Sequence, residues 1–273
     1  MEGIVSGEGK FYFILLIIFL RYVIIASVAF GIFYYARKKI WSFKKIQNKF
    51  PIFSDYQREF LYSACTALIF AGLGYLFFFG PLVKYTMVYR DINTHSLWYF
   101  FFTVVLTLVV HDTYFYWSHR LMHHPRLFKY FHKVHHLSTN PSPWAAMAFH
   151  PLEAVVEFGI IVVVSFIFPI HPLAIGLFLL IMMLYNVYGH LGYELYPKGF
   201  SKSRIGKWVN TSINHNQHHE HFKGNYGLYF LWWDRWMGTL RDDYDEKFDE
   251  VKSRKSRDLG IVNSSIDVTG MME

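Results

Sequence analysis

Cysteine is almost absent from this chain of 273 residues. The single one, Cys65, lies inside an apolar run, so neither disulfides nor thiolate ligands contribute. Heptads, fixed-period repeats and low-complexity tracts are also missing, which excludes coiled coils, solenoids and compositional linkers. No His-Glu-x-x-His pair occurs, and with it goes a metalloprotease of that type. Charge is sparse at 17% and acidic residues are the scarcer sign, 20 against 27 Lys and Arg. What abounds is apolar: 53% of the residues are hydrophobic and 21% aromatic, with a positive mean hydropathy, the composition of a membrane protein.

The apolar runs are long. Phe11 to Ala36 is broken only by Arg21 and is too long and too weakly flanked for a cleaved signal peptide. Phe60 to Gly80 and Leu97 to Trp117 approach the ~20 residues that a bilayer requires. Leu152 to Phe168 and Leu173 to Gly189, joined by Pro169-Ile-His-Pro172, form a tight hairpin whose full crossing is left open. With these spans the segments after Ala36, Trp117 and His190 share one side and carry 7, 4 and 12 Lys and Arg, whereas the other side holds Lys10, Lys84 and Arg90. The positive-inside rule makes the basic side cytoplasmic, in a bacterial inner membrane or the endoplasmic reticulum. The net charge of +7 then reflects anionic head groups, and no nucleic-acid partner is needed.

Three histidine boxes stand beside these runs: His119-x-x-x-His123, His132-x-x-His135-His136 and His215-x-x-His218-His219. On a helix, residues three and four apart share a face, so each box aims its imidazoles one way. A lone histidine is usually a packed or surface residue, but two copies of one His-x-x-His-His pattern are the spacing of a metal site. With His190 the donors number nine, more than one ion uses, so two metals are implied. His95, His111, His150, His171 and His221 are read as ordinary structural histidines.

The surroundings leave alternatives open. Asp112, two helical turns before His119, either accepts the second N–H of a ligating imidazole or satisfies the helix interior. Asn186, one turn before His190, either holds a metal-bound water or packs. Glu153 and Glu157 follow Pro151 and suit the start of a helix, so they are not assigned as ligands. The box from His132 to His136 is expected on a separate helix ended by Pro141 and Pro143. Trp232, Trp233 and Trp236 lie in the head-group plane or pack between cap helices. All-imidazole sites leave positive charge uncompensated and favour an electrophilic oxidant, although zinc also accepts imidazole.

These residues resemble the fatty acid hydroxylase and sterol desaturase superfamily, in particular the branch with C-5 sterol desaturases. The resemblance runs from Leu97 to Leu240. It rests on Asp112 to His123, the box from His132 to His136, His150-Pro-Leu-Glu153, Asn186 to His190 with Gly192-Tyr-Glu194, the box from His215 to His219, and Gly224-Asn-Tyr-Gly227 with Trp233 to Thr239. It implies an all-α, multi-pass membrane bundle under a cytoplasmic histidine-rich cap holding a dinuclear iron centre. That centre would be ligated by His119, His123, His132, His135, His136, His190, His215, His218 and His219, and would oxidise lipid C–H bonds with O2 and two external electrons. Asn186 departs from relatives that carry histidine there. No fused haem module fits before Phe11, so electrons are expected from a separate haem cytochrome, or a ferredoxin with its reductase.

The expected organisation is N-terminal membrane helices and loops over 1–96, a catalytic domain over 97–241 and a charged tail without a packed core over 242–273. The lipid is expected to enter near Trp117, Trp144 and the Leu152 to Gly189 hairpin, a sterol-like ring system being favoured over a fatty acid or sphingoid base. A zinc-binding or metal-transport protein is the alternative of another class, but transporters set polar ligands at mid-membrane on broken helices, and these boxes stand at span ends.

Overall fold

Proline and small polar caps divide the chain into helices, and where each helix stops decides where the histidines stand. A computed structural model describes residues 6–254 and is all-helical, with no strand among the described residues. Helix α1 (Gly7–Phe30) opens at Ser6, whose hydroxyl accepts the Gly9 N–H at 3.2 Å. It widens into a π turn over Gly31–Ala36, where the Arg37 N–H reaches five residues back to the Ile32 carbonyl at 2.7 Å. In α2 (Phe53–Phe79) the Asp55 carboxylate accepts the Ile52 N–H, and α3 (Leu97–Met122) is capped by Ser96.

A His-Pro pair opens each of the next three helices. Proline fixes φ at the first helical position, and the imidazole before it accepts an N–H that would otherwise lack a partner. His124 accepts from Arg126 at the start of α4 (Pro125–Phe131), His150 from Leu152 at α5 (Pro151–Ile167), and His171 from Leu173 at α6 (Pro172–Gly189). His150 and His171 thus do structural work, and His111 packs in the core with its Nδ1 2.9 Å from the Tyr229 hydroxyl.

Among the described residues four helices are long and apolar enough to cross a membrane: Gly7–Ala36, Phe53–Phe79, Leu97–Met122 and Pro172–Gly189. The fifth long helix, α5, has 17 residues. At ~1.5 Å per residue that is about 25 Å, short of the ~30 Å hydrocarbon core. Lipid offers no hydrophobic drive for helix association, so close packing must supply it. Helix α2 does this with buried Ala67, Ala71 and Gly74; a Cβ on Gly74 would come within 3.7 Å of Ile14 on α1 and 3.9 Å of Phe158 on α5.

The cap is built from the connections and from α7 (Ser212–His221), α8 (Trp232–Trp236) and α9 (Tyr244–Ser253). Two expectations are corrected here. The second box is not a separate helix: His132 ends α4, and a short 3₁₀ turn carries His135–Leu137, closed by the Ser138 N–H on the His135 carbonyl. Part of the segment after Asp242 does pack. In α9, Tyr244, Phe248 and Val251 recur at i, i+4 and i+7 and are buried against Ile46, Ile213 and Leu231. Residues 255–273 of that segment lie outside the described residues.

Candidate metal centre

The last turn of α3 presents His119, with His123 as its C-cap, and the α4 terminus brings His132 across from it. The 3₁₀ turn supplies His135 and His136, the α6 C-cap supplies His190, and α7 supplies His215, His218 and His219. Their ring nitrogens converge in two groups, each within 4.8 Å: His119, His123, His132, His136 and His218 in one, His135, His190, His215 and His219 in the other. Every histidine of the three boxes and His190 falls into one of them. All are buried except the half-buried His123.

The tautomers are set by the opposite ring nitrogen. Nδ1 of His119 donates to the Tyr226 carbonyl at 2.9 Å, Nδ1 of His218 to Gly224 at 2.7 Å and Nδ1 of His190 to Asn186 at 2.7 Å. A carbonyl has no proton to give, so these three Nε2 atoms carry bare lone pairs. They point inward. His190 Nε2 has the Nε2 atoms of His135, His215 and His219 at 3.1–3.2 Å, yet one lone pair can accept only one N–H. A cation among the four satisfies them all. Contacts in the first group run from 2.8 Å for His119 to His132 up to 3.2 Å for His136 to His123. Adjacent nitrogens at ~2.1 Å from an octahedral ion lie about 3.0 Å apart, against about 3.4 Å in a closed tetrahedron. The observed spacings are of this order, so each group of donors fits one cation.

Burial first, then mutual repulsion, holds His132, His135, His136, His215, His218 and His219 well below the usual histidine range. Burial likewise lowers His190 to about 4 and His123 to about 2. All of these are neutral near pH 7, the form that ligates.

Glu153 is an acidic residue whose contact with a box histidine sequence reasoning missed. Its Oε1 lies 2.6 Å from His132 Nδ1, with both side chains buried, the carboxylate–imidazole arrangement that orients a ligand. Its place after a His-Pro cap disguised it as a residue serving the helix dipole. Asp112, expected as a candidate for that contact, is corrected: its Oδ1 accepts the backbone N–H of Tyr229 at 2.7 Å and of Phe230 at 3.1 Å. Two buried acids missed by sequence reasoning continue this bracing. Asp234 accepts from the backbone of Tyr226 and Gly227 and from the Thr239 hydroxyl at 2.7–2.9 Å, fixing the loop whose carbonyls hold His119 and His218. Gly227 is required there, since a Cβ would meet the Phe230 carbonyl at 2.4 Å. Glu194 accepts the Ile213 N–H and the Tyr188 hydroxyl, joining α6 to α7. Trp233 packs α8 onto α3, its Nε1–H on Thr113 and its ring stacked on Tyr116.

A cavity of about 610 Å³ runs between α1, α2, α5 and α6. It is lined by Phe149, whose ring contacts His135 at 5.3 Å, and by Asn186, so one end abuts the four-histidine group. Asn186 also borders a void of about 10 Å³ beside His190 and His215, room for about one water. The hairpin lines the large cavity as expected, but Trp117 and Trp144 do not. Trp117 packs on Trp233, and Trp144 on Tyr22 and Phe60.

Comparison with known proteins agrees with this architecture. A sequence model described as fatty acid hydroxylase matches residues 104–239. A Delta(7)-sterol 5(6)-desaturase of Gibberella zeae is 30% identical over 165 residues, 60% of this chain and 50% of that protein. The lathosterol oxidase of Rattus norvegicus is 33% identical over 167 residues, 60% and 54% of the two chains. A putative methylsterol monooxygenase of Dictyostelium discoideum is 31% identical over 181 residues, 66% of this chain and 67% of that one. The chain spans 40–62% of the length of the sterol desaturases matched first. No solved structure matches. With the histidines of all three boxes and His190 gathered into paired nitrogen clusters inside the matched region, the chain belongs to the fatty acid hydroxylase family.

Proposed function

We propose that this protein is a membrane-bound non-haem di-iron oxidase that desaturates or hydroxylates a C–H bond of a lipid, with a sterol-like substrate. The observation that carries this reading is the pair of inward-facing imidazole clusters at one end of an apolar cavity. His119, His123, His132, His136 and His218 would hold one iron, and His135, His190, His215 and His219 the other. Iron there would supply O2 activation and the oxidising equivalents for C–H cleavage.

The protein's own contribution is positioning. Carbonyls of Tyr226, Gly224 and Asn186 and the Glu153 carboxylate fix the rings before any metal arrives, so little reorganisation is needed on binding. Phe149 and Asn186 form the wall between cavity and clusters, Asn186 with room to hold a water beside His190. The apolar lining excludes bulk water from the reacting carbon. How near the neighbouring C–H comes decides between one oxidation and two, that is, between an alcohol and a double bond.

The boxes face the cytoplasm in this reading, where a separate haem cytochrome, or a ferredoxin with its reductase, delivers electrons. The sterol preference draws on the relatives named desaturases of Delta(7)-sterols; a fatty acid or sphingoid-base hydroxylase is the runner-up. Two measurements test it together. Anaerobically purified protein should hold about two irons per chain, as the two clusters require, and lipidomics with and without the gene should show a lost double bond in a ring lipid. One tight zinc with an unchanged lipid profile under aerobic growth would overturn the reading.

A further inference from the structure

Arg21 is the only charged residue between Lys10 and Arg37, in the middle of the first span. A guanidinium at that depth is costly in lipid and is retained where it meets a polar partner or a cavity. Arg21 lines the 610 Å³ cavity, and its Nε is enclosed without a hydrogen-bond partner. The rest of the lining is Phe, Ile, Leu, Met and other apolar residues except for Arg90, Glu157 and Asn186. No ion pair among the described residues joins Arg21 to Glu157.

The cavity has a direction. Pro172 and Asn186, at opposite ends of α6, both line it, so it extends about 21 Å at ~1.5 Å per residue. Arg21 stands in the half next to the histidines. The adjacent Tyr22 reaches the Trp144 carbonyl at 2.9 Å and packs in one cluster with Met147, Phe149, Met183 and Val187. The far half is walled by residues such as Phe79, Val88 and Leu173, with Arg90 hydrogen-bonded to the Phe78 carbonyl.

We propose that Arg21 determines specificity by donating to an acceptor oxygen at the polar end of an amphipathic lipid. The polar end then lies beside the histidines, the apolar remainder extends toward Pro172 and Phe79, and oxidation falls within a few carbons of the polar group. The proposal rests on the oxidase reading and deepens it. A sterol hydroxyl and a fatty-acid carboxylate share the required chemistry.

The test uses the full-length, metal-loaded protein in nanodiscs with two probe pairs, cholesterol against cholestane and palmitate against hexadecane. Wild type should bind the oxygenated member of one pair about tenfold tighter or more, as for a charge-assisted hydrogen bond, and the pair that shows the preference identifies the source. Arg21→Leu should abolish the preference while hydrocarbon binding and metal content stay unchanged, and Arg21→Lys should restore part of it. Gly176 lines the cavity ten residues from Asn186, and a Cβ there meets nothing within 4 Å. Gly176→Phe should weaken both members of a pair and leave their ratio intact. A preference that survives in Arg21→Leu, or no preference in wild type for either pair, overturns the proposal. If lipid oxidation and two metals persist in that case, only the role of Arg21 falls; a wild type that takes up no metal and alters no lipid overturns the oxidase reading instead.

Discussion

Asp234→Asn isolates what the closing loop does for the metal centre. The carboxylate is fully buried and accepts three hydrogen bonds, from Tyr226 N and Thr239 Oγ1 on Oδ1 and from Gly227 N on Oδ2. An amide keeps the shape but replaces one oxygen by NH2. Either orientation sets a donor against at least one donor, leaving a buried N–H or O–H without an acceptor, which costs about 1–3 kcal/mol. The surviving bonds also lose their charge assistance, so about 2–4 kcal/mol in all is expected. The damage is directional, because this loop offers the Tyr226 and Gly224 carbonyls to His119 and His218, both of the five-histidine group. The four-histidine group is oriented through Asn186 instead. Affinity at one site should fall about 10–100-fold while the other keeps its metal. Metal titration with a competing chelator, read beside thermal unfolding, measures both effects. Equal loss from the two sites, or wild-type affinity with an unchanged melting temperature, refutes the argument that Asp234 acts through that loop.

Replacing His135 or His218 by alanine should each empty one cluster and abolish lipid oxidation with the protein still membrane-inserted, since no span rests on these rings; turnover retained in both variants would remove the ligand assignment. Chelator-stripped protein should lose stability on acidification. An unfolded histidine takes up a proton near pH 6.5, whereas His190 resists until about 4, so the unfolded state binds more protons in that interval and stability falls with pH by on the order of 3 kcal/mol for this one group. Denaturation midpoints that do not change between pH 7 and 5 would contradict this. In sealed vesicles with the cytoplasmic face outward, trypsin should cut at the exposed Lys202, Arg204 or Lys207; cleavage only from the opposite face would invert the topology.

The sequence disclosed the spans and the histidines for the same reason: both are set by local pattern. An apolar run of sufficient length has few alternatives to a membrane helix, and imidazoles four residues apart share a group in all three boxes, whether a helix or, as at His132 to His136, a helix end followed by a 3₁₀ turn carries them. That tolerance explains how an incorrect helix still gave a coherent set of donors. What stayed hidden was pairing across the chain. Glu153 finds His132 from 21 residues away and Asp112 finds Tyr229 from 117, and nothing in either neighbourhood distinguishes the acid that orients a ring from the acid that braces a loop. The partition of nine histidines into five and four was hidden too, because His135 and His136 are adjacent in sequence yet serve different clusters. The same split occurs on α7, where the neighbours His218 and His219 belong to different groups. Successive residues lie about 100° apart on an α-helix and about 120° apart on a 3₁₀ turn, and both pairs hold their ring centroids 5.9 Å apart with planes at 83–88°. The second and third boxes thus each feed both groups, one from a 3₁₀ turn and one from an α-helix, because adjacent side chains on either diverge enough to reach neighbouring clusters.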